Sequence, residues 1–148
     1  MRVAIAASRF NDLITERLVA GAHDGLVRHG VEEASITLVW APGAFELPLV
    51  AQRLVETGDH DAVVCVGAVV RGSTNHYEHV CTQCAAGILR VSLDTKVPVV
   101  FGVLTTDTTE AALERSGGKL GNKGFEAATT AIEMVDVLRQ LPKNQGLD

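Results

Sequence analysis

The chain has 148 residues, 47% of them hydrophobic, and a formal charge of −5. That length suits one domain, here residues 1–148, with a continuous core. The acidic balance, without any basic run, excludes the concentrated positive face of a nucleic-acid binder, and no stretch approaches the roughly 20 apolar residues of a membrane span.

The first apolar run, "RVAIAA", reads as a strand, and the opening "MRVAIAASRFND" holds too short an apolar stretch for a secretory h-region. A helix is expected from about Asp12 to His29, capped by Asn11 or Asp12 and stopped by Gly30, with Ile14, Leu18, Ala22 and Leu26 spaced by four on its inner face. "SITLVWA" is the second strand, and a second helix is expected from about Phe45 to Thr57, ending at Gly58. "AVVCVGAVV" is the third strand. The helix that follows, His76 to Thr95, carries Val80, Cys84, Ile88 and Val91 on one stripe. "PVVFGVLTT" is the fourth strand. Asp107 and Glu110 form a capping pair for the short helix "TTEAALERSG", and a last helix presents Phe125, Ala128, Ile132, Val135 and Leu138. The polar tail "PKNQGLD" closes the chain.

Near-continuous β-branched runs are the mark of strands covered on both faces. Alternated with amphipathic helices, they predict an α/β fold, an open parallel sheet with right-handed crossovers and helices on both sides. The three cysteines, Cys65, Cys81 and Cys84, are an odd number. Reduced thiols and a cytoplasmic location follow as the expectation.

In such sheets, ligands collect at the carboxyl ends of the strands. Four segments fall there: "SRFN", "PGAFELP", "RGSTNH" and "TTDTT". In the third, Gly72 permits a tight backbone while Ser73 and Thr74 set hydroxyls beside the free N–H groups of a helix start, which suits a phosphate as well as it suits a plain helix cap. His76 follows in the first turn, where an imidazole moves protons near neutral pH, although a lone histidine is more often structural. The other histidines, His79 among them, carry no comparable context. "PGAFELP" exposes the backbone of Gly43 to Glu46, suited to the edge of a flat heterocycle or to a simple turn. Phe10 and Phe101 are notable in a chain only 4% aromatic, because a planar ligand stacks on such rings; core packing is their other fate. "ERSGGKLGNKG" sets Arg115, a bidentate phosphate partner, in a glycine-rich turn that is otherwise a solvated basic loop.

A zinc reading of His76, His79, Cys81 and Cys84 fails on geometry. Along one helix the first and last of these lie about 12 Å apart, too far for one tetrahedral ion. The pair Cys81 and Cys84 sits mid-helix, away from the helix start that activates a redox thiol. A flavodoxin-type flavin carrier would want glycine in the loop after the first strand, and "SRFNDL" has none. A receiver domain would want an aspartate where Arg71 ends the third strand. An assembly scaffold without activity is a further alternative.

Together, "SRFN", "PGAFELP", "GAVVRGSTNHYEHV", "FGVLT" and "ERSGGKLGNKG" resemble, in order and spacing, the lumazine synthase family of riboflavin biosynthesis over nearly the whole chain. The resemblance implies a three-layer αβα sandwich on a four-stranded parallel flavodoxin-like sheet, and a transferase that condenses 5-amino-6-(D-ribitylamino)uracil with 3,4-dihydroxy-2-butanone 4-phosphate. It implies no metal or organic cofactor. By the same resemblance Phe10 stacks on the pyrimidine, Ala44, Phe45 and Glu46 contact it and the ribityl chain, and the backbone of Ala68, Val69 and Val70 reads its edge. Ser73 and Thr74 hold phosphate, and His76 gives and takes protons. Phe101 and Arg115, with Lys123 nearby, come from a neighbouring subunit. The implied partners are copies of the chain itself, in a homopentamer or a sixty-subunit icosahedral shell. Many members carry an N-terminal extension that pairs with a neighbour's sheet; here the sequence starts at its first strand, which bears on the shell and not on the chemistry.

Overall fold

A computed structural model describes residues 1–143. Its elements run β1 (Val3–Ser8), α1 (Asp12–Arg28), β2 (Ile36–Ala41), α2 (Leu47–Glu56), β3 (Ala62–Val70), α3 (His76–Thr95), β4 (Val99–Thr106), α4 (Thr109–Glu114), β5 (Ser116–Gly118), β6 (Gly121–Asn122) and α5 (Lys123–Gln140). The last five residues of the polar tail lie outside the described residues.

Strands β2-β1-β3-β4 form one sheet, every pairing parallel. Helices cover both faces, as the flavodoxin-like expectation requires. The alternation along β1 shows why its sequence reads as unbroken oil. Val3, Ile5 and Ala7 pack with Ile14, Leu18 and Leu26 of α1 and with Ala127, Ala128 and Ala131 of α5. Ala4 and Ala6 point the other way, into a core with Leu47 and Ala51 of α2 and Cys84 and Ile88 of α3. A strand buried on both sides has no polar positions to alternate. Strand β2 departs from that rule because it is an edge, and Leu38 stays 43% exposed.

Small residues set the helix spacing. A Cβ on Gly124 would overlap the carbonyl oxygen of Leu18, so α1 and α5 cross almost backbone to backbone. Gly87 does the same between α3 and α2, where a Cβ would lie 2.6 Å from Pro48 Cγ.

Several boundaries differ from expectation. The segment read as one helix from Phe45 to Thr57 is a 3-10 turn, Ala44–Glu46, followed by α2 with Pro48 in its first turn, where a missing N–H is harmless. Thr108, not Asp107, caps α4: its hydroxyl accepts from Ala111 N at 3.1 Å. Asp107 is engaged instead by Arg71. The turn read as a basic loop folds into the small antiparallel hairpin β5–β6. On the last helix, Leu138 is 39% exposed, while the seam uses Gly124, Ala127, Ala128, Ala131 and Val135. Among the described residues no helix is long and apolar enough to cross a membrane.

Candidate functional site

The chain order reverses between β1 and β3: from β1 it moves outward to β2, then crosses back to β3 on the other side. At such a switch point the loops leave in opposite directions and a crevice opens between the strand ends. A cleft of about 620 Å³ lies there, lined by Phe10, residues 42–46, Ala68, Val69, Val70, Gly72, Thr74, His76, Tyr77, His79 and Val80.

Each wall has a local cause. The loop after β1 is held by backbone bonds from Arg9 N to Ala41 O, 2.7 Å, and Phe10 N to Pro42 O, 3.0 Å. Asn11 takes a left-handed conformation, φ 61°, at the start of α1. Its side chain leaves that helix uncapped and donates from Nδ2 to Ala68 O at 2.9 Å. Phe10 is thereby held out on the rim, 72% exposed. Opposite it, the 3-10 turn presents Phe45, 58% exposed, with Glu46, while Ala44 is buried beneath them.

The far wall is the start of α3. Asn75 stands at its N-cap with no side-chain hydrogen bond to the helix, and the nearest substitute is the Thr74 hydroxyl, which accepts from His76 N at 3.3 Å. A 20-residue helix thus presents its first turn, with partial positive charge and N–H donors, beside His76. Ser73 is exposed and stands off the wall that Thr74 joins. His79, passed over in the sequence, lines the same wall, and so do Tyr77 and Val80. Helical spacing was the available signal, since positions three and four beyond His76 share its face.

Phe101 and Arg115 are not in this cleft. They line a second one of about 610 Å³ at the free edge of β4, with Thr105, Asp107, Leu120, Lys123 and Glu126 among its walls. The two clefts share no residue. Arg115 Nη1 donates to Ala111 O at 3.0 Å, its guanidinium's one hydrogen bond among the described residues, which leaves most of its donor fork open. Lys123 Nζ lies 3.8 Å from Glu126 Oε2.

No three His, Cys, Asp or Glu side chains gather as a metal site among the described residues. The four residues of the zinc pattern point apart: His76 and His79 face the first cleft, Cys81 is half-buried, and Cys84 lies in the core. Burial, more than the neighbouring Cys84, pushes the Cys65 thiol up; burial, then Cys81, pushes Cys84 up to about 12. Neutral buried thiols are poor nucleophiles and poor ligands.

The geometry therefore offers a cleft with two exposed aromatic rings and a backbone edge, a histidine at the start of a long helix, and a separate cationic edge. A family model described as 6,7-dimethyl-8-ribityllumazine synthase matches residues 1–139 of the 148, which takes in every wall of both clefts. By that match the chain belongs to the 6,7-dimethyl-8-ribityllumazine synthase family, transferases of riboflavin biosynthesis.

Proposed function

We propose that this chain condenses 5-amino-6-(D-ribitylamino)uracil with 3,4-dihydroxy-2-butanone 4-phosphate, giving 6,7-dimethyl-8-ribityllumazine and releasing phosphate and water, in the cytoplasm. The pyrimidine lies in the first cleft, stacked on Phe10, with its edge against the backbone of Ala68, Val69 and Val70 and its ribityl chain toward Ala44, Phe45 and Glu46. The phosphate sits at the start of α3 on Thr74 and Ser73, where N–H donors and the helix dipole favour an anion.

The chemistry is a relay of proton transfers with one departing anion. The uracil's primary amine attacks the ketone, and water leaves as an imine forms. A proton is then removed from the adjacent carbon as the C–O bond to phosphate breaks. The ribitylamino nitrogen closes on the carbonyl that results, and a second loss of water completes the ring. His76 takes and returns these protons; Arg115 of an adjoining copy balances the charge that gathers on the leaving phosphate. Holding two small polar molecules together supplies much of the acceleration, about 7 kcal/mol or more.

One observation carries this reading. In a single protomer the histidine wall and the Phe101–Arg115 edge belong to separate clefts, and a site that uses both draws them from two copies. A ring of five copies, alone or packed into an icosahedral shell, supplies such pairs at every junction. The test is complementation. With the phosphorylated ketone held well below KM, His76→Ala and Arg115→Ala are each expected to lose most of the activity alone, one through kcat and the other through KM, and their co-expression to restore a fraction of it, because some junctions then pair an intact histidine with an intact arginine. Mixed oligomers without any recovered lumazine formation would show that the two residues do not serve one shared site.

A further inference from the structure

The turn that carries Thr74 and His76 has almost nothing holding it from below. Residues 71–76 are all exposed, a Cβ on Gly72 would meet nothing within 4 Å, and the Asn75 side chain does not cap α3. A turn so unsupported should wander, yet proton transfer needs atoms fixed to within an ångström.

Its first residue supplies the restraint. The backbone N of Arg71 donates to Thr106 O at 2.9 Å, which extends the β3–β4 pairing by one rung. Its side chain then folds back over the far end of the same turn. Nε donates to Asp107 Oδ1 at 2.8 Å, Nη1 lies 3.4 Å from Glu78 Oε1, and the guanidinium carbon sits 4.4 Å from the centre of the Tyr77 ring. One planar cation thus joins the end of β3, the end of β4 and the first turn of α3. Tyr77 lines the first cleft and Asp107 the second.

A single exposed ion pair contributes little. Three contacts from one rigid fork differ, because each fixes the geometry of the others, and a lysine cannot reproduce the set. The positive charge is also spent. With Asp107 and Glu78 both on it, Arg71 is directed at carboxylates and not at an anion in the cleft.

We propose that Arg71 is a positioning residue, a clasp that closes the 72–76 turn onto α3 and β4 and so sets where Thr74 and His76 stand. The inference rests on the proposed condensation for its kinetic consequence, while the clasp itself is readable without any substrate.

Two measurements on Arg71→Gln, with Arg71→Lys and Asp107→Asn beside it, test the clasp. Amide exchange across residues 72–78 should speed up in Arg71→Gln, less so in the other two, with exchange in β1 and α1 unchanged. Under saturating uracil substrate, kcat should fall about tenfold to a hundredfold in Arg71→Gln, with KM for the phosphorylated ketone changing less than kcat, and Arg71→Lys should recover only part of the loss. Unchanged exchange would overturn the clasp. Faster exchange with undiminished kcat would overturn the positioning role, and a loss confined to KM would make Arg71 a phosphate ligand instead. If the wild-type protein itself formed no lumazine, the proposed reaction would fail, and the exchange data would still decide whether the clasp exists.

Discussion

Asn11 Nδ2 donates to the carbonyl oxygen of Ala68 at 2.9 Å, tying the loop that bears Phe10 to the strand that forms the cleft floor. The bond spans 57 residues of sequence and joins two walls of one cleft. Asn11→Gly is the informative substitution, since glycine accepts the left-handed φ of 61° and removes only the amide. A stability loss of about 1 kcal/mol is expected in urea unfolding. On the proposed function, KM for the uracil substrate should rise while kcat stays near wild type, because Phe10 loses its anchor and the histidine wall does not.

The helix crossing at Gly124 gives a sharper structural forecast. Gly124→Ala forces a methyl against the Leu18 carbonyl, and α1 and α5 must part. About 3 kcal/mol, the upper end of ordinary overpacking, is the expected cost. Gly72→Ala is the matched control, with open space around its Cβ, and should stay within about 0.5 kcal/mol of wild type. Denaturant midpoints for the two variants, compared at equal slope, check the contrast.

His76 is exposed and its ring makes no hydrogen bond among the described residues. Its removal should therefore leave stability within about 0.5 kcal/mol while lowering kcat about a hundredfold or more. Arg115→Ala should act differently, raising KM for the phosphorylated ketone about tenfold to a hundredfold, as the loss of a charged hydrogen bond would. Lumazine absorbance under varied ketone concentration separates the two patterns. An unchanged kcat in His76→Ala would end the proton-transfer assignment.

Alkaline pH should unfold the protein by way of its thiols. The Cys84 thiol ordinarily titrates near 9.0 and is held at about 12 in the fold, so between those values the unfolded chain has lost the proton that the folded chain keeps. A group raised in the folded state gives its full stabilisation below the unfolded value and loses it as pH climbs toward the folded one. Stability should thus be flat below about pH 8.5 and then fall by up to about 1.4 kcal/mol per pH unit for each such thiol. Cys65, raised likewise by burial, adds to the slope. Cys84→Ala should be less stable at pH 7 through the cavity it leaves, yet show a shallower alkaline decline. Urea titrations from pH 7 to pH 11 read both effects.

What the sequence conveyed best were the elements whose burial is one-sided or total. The stripe of Val80, Cys84, Ile88 and Val91 marks α3 from His76 to Thr95 as observed, because a regular inward face is written directly into the spacing. The local turn chemistry was harder. Thr108 and Asp107 are both good caps, and only the pull of Arg71, a long-range partner, decides between them. The 3-10 turn at Ala44–Glu46 precedes Pro48, yet nothing in an apolar run tells how the chain enters α2. At the candidate site the motif residues were visible, while His79 was missed by reading histidines singly and not by helical face. Which cleft a residue joins was not legible from its own pattern, and only the family resemblance set Phe101 and Arg115 apart from the rest. Phe101 on β4 and Arg115 after α4 line the cleft at that strand's free edge, and strand order, which assigns that edge, is a property of crossovers and not of any residue's own pattern.

The meeting of α1 with α5, backbone against backbone, ties the first helix of the chain to the last. β1 likewise lies between β2 and β3, so a strand that precedes both its neighbours in chain order sits at the heart of the finished sheet. During synthesis β1 and α1 must wait, with the apolar face they share with α5 uncovered, until Lys123–Gln140 has emerged. Assembly of the fold is accordingly governed by loop closure across the span from α1 to α5, and premature termination before Lys123 would leave a sticky, half-built intermediate, a ready client for chaperones, in place of a smaller working protein.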